Sequence, residues 1–458
     1  MITKLSVQNF KSWGNTGEVR LAPITGFFGS NSSGKTSLLQ LLLMLKQTTE
    51  SSDRTQVLNL GDDRSLVELG TFKDIIYNHH EDESLKWELA WELKENLKIP
   101  DPEQRGKTLF DEKSLKFKAA INENGAGRMA VHKLAYNFSA HDFIMKRKTK
   151  EKNQYDLSSE TSSSAHHFKF KRSMGRAWEL PAPVKCYGFP DQVKAYYQNA
   201  GFLSDFVLAF EKLFSEVYYL GPLREYPRRQ YTWAGAQPAD MGRRGEKVID
   251  AILASREKRE FISRGKGLKR FTAEQYVAYW LRELKMIHDF KVEPITKESN
   301  LYRVWVKKTE NSANVLITDI GFGVSQILPV ITLCYYVPEG STILMEQPEI
   351  HLHPSVQAGL ADVFIDAIKT RKIQIILESH SEYLLKRLQR RIAEEQITSA
   401  AAALYFCDMT NGGSKMTELN LDLFGNITNW PDGFFGDDFG EMAAMTQAVM
   451  QRQKMEQP

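Results

Sequence analysis

Phe27-Phe28-Gly29-Ser30-Asn31-Ser32-Ser33-Gly34-Lys35-Thr36-Ser37 decides the fold of this chain, because it satisfies the phosphate-binding loop pattern G-x-x-x-x-G-K-[ST] at every position. Each residue type has a physical task. Gly29 and Gly34 reach backbone angles closed to residues with a side chain, which lets successive amides between them turn inward toward phosphate oxygens. Lys35 is expected on the β- and γ-phosphates, and Thr36 is expected to offer its hydroxyl to Mg²⁺. The set that would hold the nucleotide is Gly29, Ser30, Asn31, Ser32, Ser33, Gly34, Lys35, Thr36 and Ser37. The flanks agree: Ile24-Thr25-Gly26-Phe27-Phe28 reads as a short buried strand, and the Leu-rich run from Thr36 to Leu45 reads as a helix. Strand, loop and helix together predict a nucleoside triphosphate site.

The 458 residues suffice for two or three domains, or for one domain with a large insertion, and 42% apolar residues support a core. Sixty basic against 57 acidic residues leave a net charge of only +3, so global charge does not announce a nucleic-acid binder. Cys186, Cys334 and Cys407 are far apart and form no C-x-x-C pair, which offers neither a zinc site nor a disulfide framework and points to a reducing cytoplasm. The N-terminus lacks the apolar core of a signal peptide. The apolar run Ile327 to Val337 is interrupted by Pro329 and Thr332, so no membrane span is expected.

Outward from the loop, residues 2–29 alternate as strands do, and the helix after the loop is apolar around nearly its whole circumference. Strand patterns return from about Leu66 to Leu93 and from Leu115 to Phe138, while Lys146 to Ser164, rich in lysine and serine, reads as a surface loop. Helical periodicity appears at Asp205 to Leu213, Gly245 to Glu260 and Thr272 to Ile287. From Val292 to Asp408, strands and helices alternate as in a compact α/β unit. The expected division is residues 1–64 as the N-terminal part of the head, 65–300 as a β-rich lobe with a mixed helical insertion, 301–410 as the C-terminal part of the head, and 411–458 as a tail. The predicted class is α/β.

A phosphate-binding loop needs a carboxylate at the end of a neighbouring strand to hold Mg²⁺. Thr342-Ile343-Leu344-Met345-Glu346 supplies an apolar strand ending in an acid, the Walker B form, so Glu346 and Thr36 are the expected metal residues. Its continuation, Glu346-Gln347-Pro348-Glu349-Ile350-His351-Leu352-His353-Pro354, resembles the ATP-binding-cassette-type AAA ATPases of the RecF, SMC and OLD (overcoming lysogenization defect) group, whose short bacterial members carry E-[EQ]-P-E-x-H-L-H-P. Asn9-Phe10-Lys11-Ser12 resembles the opening of these heads, where a basic residue lies near the nucleotide. Asp319-Ile320-Gly321-Phe322-Gly323-Val324-Ser325-Gln326 stands where the group has its signature motif, and Leu377-Glu378-Ser379-His380-Ser381 resembles its switch-histidine segment. Tyr219 to Arg229 and Gly242 to Glu246 resemble the group's middle segment. The resemblance implies a P-loop head of ABC/SMC type that binds ATP and Mg²⁺, with Lys11 near the nucleotide and with Gly323 and Ser325 reaching the γ-phosphate of a second copy, so that two heads close around two nucleotides. The arginines of the middle segment suit either phosphate or surface ion pairs.

One position departs from the broader cassette family. The residue after the Mg²⁺ acid is elsewhere a glutamate that orients or deprotonates the attacking water; here it is Gln347, whose amide accepts no proton. Either hydrolysis is slow and ATP acts as a clamp, the reading favoured here, or Glu349 or His380 supplies the missing base. The resemblance further implies a cytoplasmic ATPase subunit that senses or gates a separately encoded effector, a nuclease, in bacterial anti-phage defence of the Septu type. The alternative is a RecF-like DNA-binding repair protein. It draws on the basic stretches Lys146 to Lys152, His166 to Arg172 and Lys266 to Arg270, although such runs are more often solvated faces.

Overall fold

A computed structural model describes the whole chain except residues 81, 102–105, 125–126, 149–153, 162–167, 176–177, 264–266, 268–269, 298, 432–433, 435–437 and 456–458. Its centre is a six-stranded sheet in the order Val217–Leu220, Thr342–Glu346, Gln374–Glu378, Ile24–Gly29, Ala402–Thr410, Gly413–Glu418. The first five strands are parallel, and the last pairs antiparallel through a tight hairpin. Side chains leave alternate faces of each strand, and the sequence loads both faces with apolar groups. Leu344, Ile376 and Phe27 enter one core; Ile343, Met345, Ile375, Leu377 and Phe28 enter another. A parallel sheet buried on both sides reads as continuous apolar runs rather than alternation, which is what Ile343-Leu344-Met345 and Ile375-Ile376-Leu377 show.

The first core is shared with a twisted antiparallel sheet in the order Trp13–Asn15, Ile2–Phe10, Leu85–Pro100, Thr108–Asn124, Arg128–Phe138, His141–Arg147, Tyr155–Thr161, with Val19–Arg20 also paired to Ile2–Phe10. The helix Lys35–Glu50 lies within this core, which is why its leucines are apolar on every side. The amphipathic helix Leu203–Ser215 adds Phe206, Phe210 and Phe214 at helical spacing. Its Phe206 stacks on Tyr136 with ring centroids 5.6 Å apart. Across the parallel sheet, the second core holds the helices Val248–Glu257, Ala273–Glu283, Gly323–Tyr336, Pro354–Arg371 and Glu382–Ala393. A small antiparallel sheet of Tyr231–Thr232, Asp289–Pro294, Leu301–Lys307 and Asn314–Leu316 joins them.

The chain departs from the sequence-based expectations in four places. Val217–Leu220, inside the segment 65–300, is an edge strand of the central sheet, and the hairpin to Gly413–Glu418 carries that sheet past residue 410. No strand occupies residues 66–80. Gly70 adopts φ +76°, and Thr71 with Asp74 forms a capping box that starts the short helix Phe72–Ile75, so the apolar side chains there plug a loop. Tyr155–Thr161, expected within a surface loop, is an edge strand. A single anchor, Tyr155, is buried, so its polar partners mask the alternation.

One buried amide clasps the two large sheets together. Gln374 accepts the Ile2 N–H at 2.9 Å and donates to the carbonyls of Ile2 at 2.6 Å and Ala22 at 3.1 Å. Gln374→Leu keeps the volume but orphans the buried backbone groups of Ile2. The expected loss is about 1–3 kcal/mol, read by urea denaturation; an unchanged midpoint would show that the clasp adds nothing.

Candidate functional site

The C-terminal ends of three adjacent parallel strands, Thr342–Glu346, Gln374–Glu378 and Ile24–Gly29, converge in register: Glu346 is the ladder partner of Glu378, and Glu378 of Phe27. From Ile24–Gly29 the chain turns through the loop into the helix Lys35–Glu50. Gly29 sits at φ +137° against Ala402–Thr410, where a Cβ would lie 1.9 Å from the Cys407 carbonyl oxygen. Gly34 caps the helix at φ +87°, and a Cβ there would approach Ser414 Oγ to 2.4 Å and Ser12 Oγ to 2.6 Å. Trp13 Nε1 donates to the Gly34 carbonyl at 2.9 Å, fixing the turn from the N-terminal sheet. The helix begins with no acid in its first turn and no side chain bonded to its first amides, so these donors and the positive end of the dipole fit an anion.

Lys35 folds back over the loop, donating from Nζ to the carbonyl oxygens of Ser30 (2.6 Å) and Gly29 (3.1 Å) and to Ser33 Oγ (3.3 Å). Burial lowers its pKa, against the pull of the neighbouring Glu378 carboxylate. The Thr36 hydroxyl donates to Glu378 Oε2 at 2.6 Å. Ser30 donates to Asp408 at 3.4 Å. Asn31 and Ser32 are exposed at the loop's tip, and Ser37 is buried in the first helical turn.

Glu346 is 8% exposed and accepts the Tyr219 hydroxyl at 2.8 Å. Burial, reinforced by the Glu378 carboxylate, raises its pKa to about 7. Lys11 feels the Glu346 carboxylate and donates to Gln40 at 2.5 Å. Gln347, held at φ +44°, donates its backbone N–H to the Glu378 carbonyl at 2.9 Å, and its side chain hydrogen-bonds the Glu378 carboxylate. Glu349 accepts the His380 backbone N–H at 2.7 Å and is driven up in pKa by burial. The His380 ring bonds the Gly29 backbone, and burial keeps it toward the neutral form. Thus Lys35, Thr36, Lys11, Glu346, Gln347, Glu349 and His380 gather around the loop.

Gly323 and Ser325 do not join them. Gly323 packs near Met286 and Leu352, while Ser325, 7% exposed, donates to the carbonyl of Phe322 at 2.7 Å inside its own helical turn. The exposed edge of that segment is Gly321 and Phe322. The arginines of the middle segment divide: Arg228 pairs with Glu225 at 3.0 Å and Arg229 with Asp319 at 2.8 Å, while Arg224 is buried. The aromatics among the basic residues at 166–172 serve the core. Phe168 packs on Phe202 and Phe143, at centroid distances of 5.4 and 5.6 Å, and is not free to stack on bases. Residues 149–152, 166–167, 266 and 268–269 of the three basic stretches lie outside the described residues.

Two site residues escaped the sequence reading as ligands to the chemistry. Glu378 was visible only as the residue before the switch-histidine pair, and its contact with Thr36 depends on strand order. Tyr219 stood in a segment without a distinct motif. The oxygens of Thr36 and Glu346 suit Mg²⁺, a hard cation, and the loop amides suit a polyphosphate. Because Glu346 titrates near 7 in the folded chain and near 4.5 when unfolded, its contribution to stability is full below pH 4.5 and lost as pH rises through 7. Relative to Glu346→Gln, the nucleotide-free wild type should therefore lose about 3 kcal/mol between pH 5 and 8. Parallel stability profiles in urea melts would contradict this.

The profile of a family described as AAA ATPase domain matches residues 1–180 and 247–385, and that of a protein family of unknown function, DUF3696, matches residues 397–445. No curated protein matches the sequence. Among solved structures, the SMC head domain from Thermotoga maritima is 10% identical, with 92% of this chain and 99% of that one covered and a TM-score of 0.41. An SmcHead bound to the C-winged helix domain of ScpA is 13% identical, with 92% and 98% covered and a TM-score of 0.43. An Smc head domain with an extended coiled coil, bound to the C-terminal domain of ScpA derived from Pyrococcus furiosus, is 11% identical, with 92% and 96% covered and a TM-score of 0.41. The family match spans more than half of the chain and contains the loop, Glu346 and His380, and the chain belongs to the AAA ATPase domain family.

Proposed function

We propose that this chain is an ATP-binding, slowly hydrolysing ATPase subunit that uses the bound triphosphate as a clamp between two copies of itself. The observation that carries the reading is Gln347. It occupies the position after Glu346 and spends its side chain on Glu378. An amide there can orient water but cannot take its proton, which removes general-base assistance worth about 10²–10⁴-fold. Mg²⁺, when bound at Thr36 and Glu346, supplies charge neutralisation on the phosphate oxygens.

The remaining steps fall to the chain's own groups. The loop amides and Lys35 orient the polyphosphate. Thr36 would hold a metal only by giving up its bond to Glu378, which would leave that carboxylate unpaired beside Gln347. Glu349 is anchored through one oxygen to the His380 N–H and ties the Walker B segment to the switch segment. For a second copy to use Ser325, its hydroxyl must release the Phe322 carbonyl, so closure involves a rearrangement at that helix start. The effector reading rests on the sequence resemblance: the clamp gates a separately encoded nuclease in bacterial anti-phage defence. Among the described residues no helix is long and apolar enough to cross a membrane, which is compatible with a role in the cytoplasm.

Three measurements test these steps. Lys35→Ala should abolish ATP binding, and with it any ATP-dependent dimer in sedimentation. Single-turnover hydrolysis should accelerate by at least about 10-fold in Gln347→Glu, as a base is restored; equal rates for wild type and variant would rule out the amide as the brake. Glu349→Gln and Glu378→Gln then separate the two remaining carboxylates, since only a group that assists water lowers the residual rate without weakening ATP binding. The gating role predicts co-purification with a neighbouring gene product whose nuclease activity is lost in Lys35→Ala, and an effector indifferent to that substitution would contradict it.

A further inference from the structure

Arg224 is 4% exposed, yet its Nε, Nη1 and Nη2 all lack a hydrogen-bond partner. It follows the edge strand Val217–Leu220 in a turn whose backbone is pinned on both sides: the Gly221 N–H donates to the Arg243 carbonyl at 2.7 Å and the Glu225 N–H to the Arg244 carbonyl at 2.9 Å. A guanidinium has five N–H donors in a fixed fork, and leaving all of them dry is among the most costly arrangements a protein interior can hold. Arg228 and Arg229, in the same segment, meet carboxylates at the surface, so the contrast is not one of composition.

The acids around Arg224 do not answer its need. Tyr219, Glu349 and Glu346 are its electrostatic neighbours. Tyr219 has given its hydroxyl to Glu346, and Glu349 holds the His380 N–H with one oxygen and has the Ser379 side chain beside it. These charges offset the cation but fill none of its donor positions. What fits the fork is a group of anionic oxygens.

We propose that Arg224 takes the terminal phosphate of the bound nucleotide, so that a triphosphate, and not a diphosphate, completes its hydrogen bonds. The inference rests on the nucleotide-site reading and adds the discrimination between substrate and product. Sheet order favours the terminal phosphate. The loop rises from Ile24–Gly29, Glu346 ends the strand two places away, and Arg224 follows the next strand beyond Glu346, so it meets the end of the phosphate chain farthest from the loop's own strand. Arg224 lies in residues 181–246, between the two segments matched by the family profile.

The test is calorimetric titration of the full chain with Mg²⁺ and either the non-hydrolysable analogue AMP-PNP or ADP, for wild type, Arg224→Gln and Arg224→Lys. Expected is a loss of about 10–100-fold in AMP-PNP affinity in Arg224→Gln, with ADP affinity changed less than about twofold, and a smaller loss in Arg224→Lys, which keeps the charge but not the fork. An unchanged ratio of the two affinities in both variants would overturn the proposal. An unchanged ratio with a lower melting temperature of the nucleotide-free protein would instead make Arg224 a structural counter-ion of Glu349. Wild-type protein that binds neither nucleotide would remove the underlying site reading, an outcome distinct from a variant that binds both with an unaltered ratio.

Discussion

The bond from the Thr36 hydroxyl to Glu378 ties the phosphate-binding helix to the end of the strand beside it, and the rest of the site is arranged around that contact. It exists because Gln374–Glu378 lies between the loop strand and the strand that ends in Glu346, in a register that brings Glu346, Glu378 and Phe27 level. Parallel strands that end together place their last side chains, and the loops that follow, along one edge of the sheet. The two cores on either face hold that edge rigid: shifting one strand by a single residue would exchange its apolar contacts between the cores.

Within this edge the charges are close and dry. Glu346, Glu349 and Glu378 are all pushed toward their protonated forms by burial, while Lys35 and Arg224 are pushed toward neutrality by the same cause. Lys35 meanwhile occupies itself with carbonyl oxygens of its own loop. A site in this condition gains from a ligand that brings both negative oxygens and a divalent cation, because each offsets a group the fold has desolvated. Gln347 fits the same economy of charge: it adds a hydrogen bond to Glu378 without adding a fourth carboxylate to the cluster. The amide thereby spares the free protein further repulsion.

Much of this was legible in the sequence. The loop, the apolar strand ending at Glu346 and the Leu-rich helix each carry a local signature, because glycine freedom and apolar periodicity are properties of neighbouring residues. What stayed hidden depends on long-range pairing. Glu378 reads as an ordinary acid until strand order sets it against Thr36. Arg224 sits among other arginines and differs from them only by burial. Phe168 and Phe170 alternate with basic residues as a nucleic-acid surface would, but the aromatic core around Phe143 claims them. Tyr155–Thr161 was obscured for a similar reason, since an edge strand with one buried anchor leaves no clear period.

The central claim is that the loop and the three strand ends form one nucleotide site. Hydrogen–deuterium exchange of the backbone amides from Ser30 to Ser37, with and without Mg²⁺ and ATPγS, tests it most directly. The account predicts protection of these amides, together with those of the segment Glu346 to Glu349, on addition of the nucleotide. Exchange in both segments that is unaltered by saturating nucleotide would contradict it.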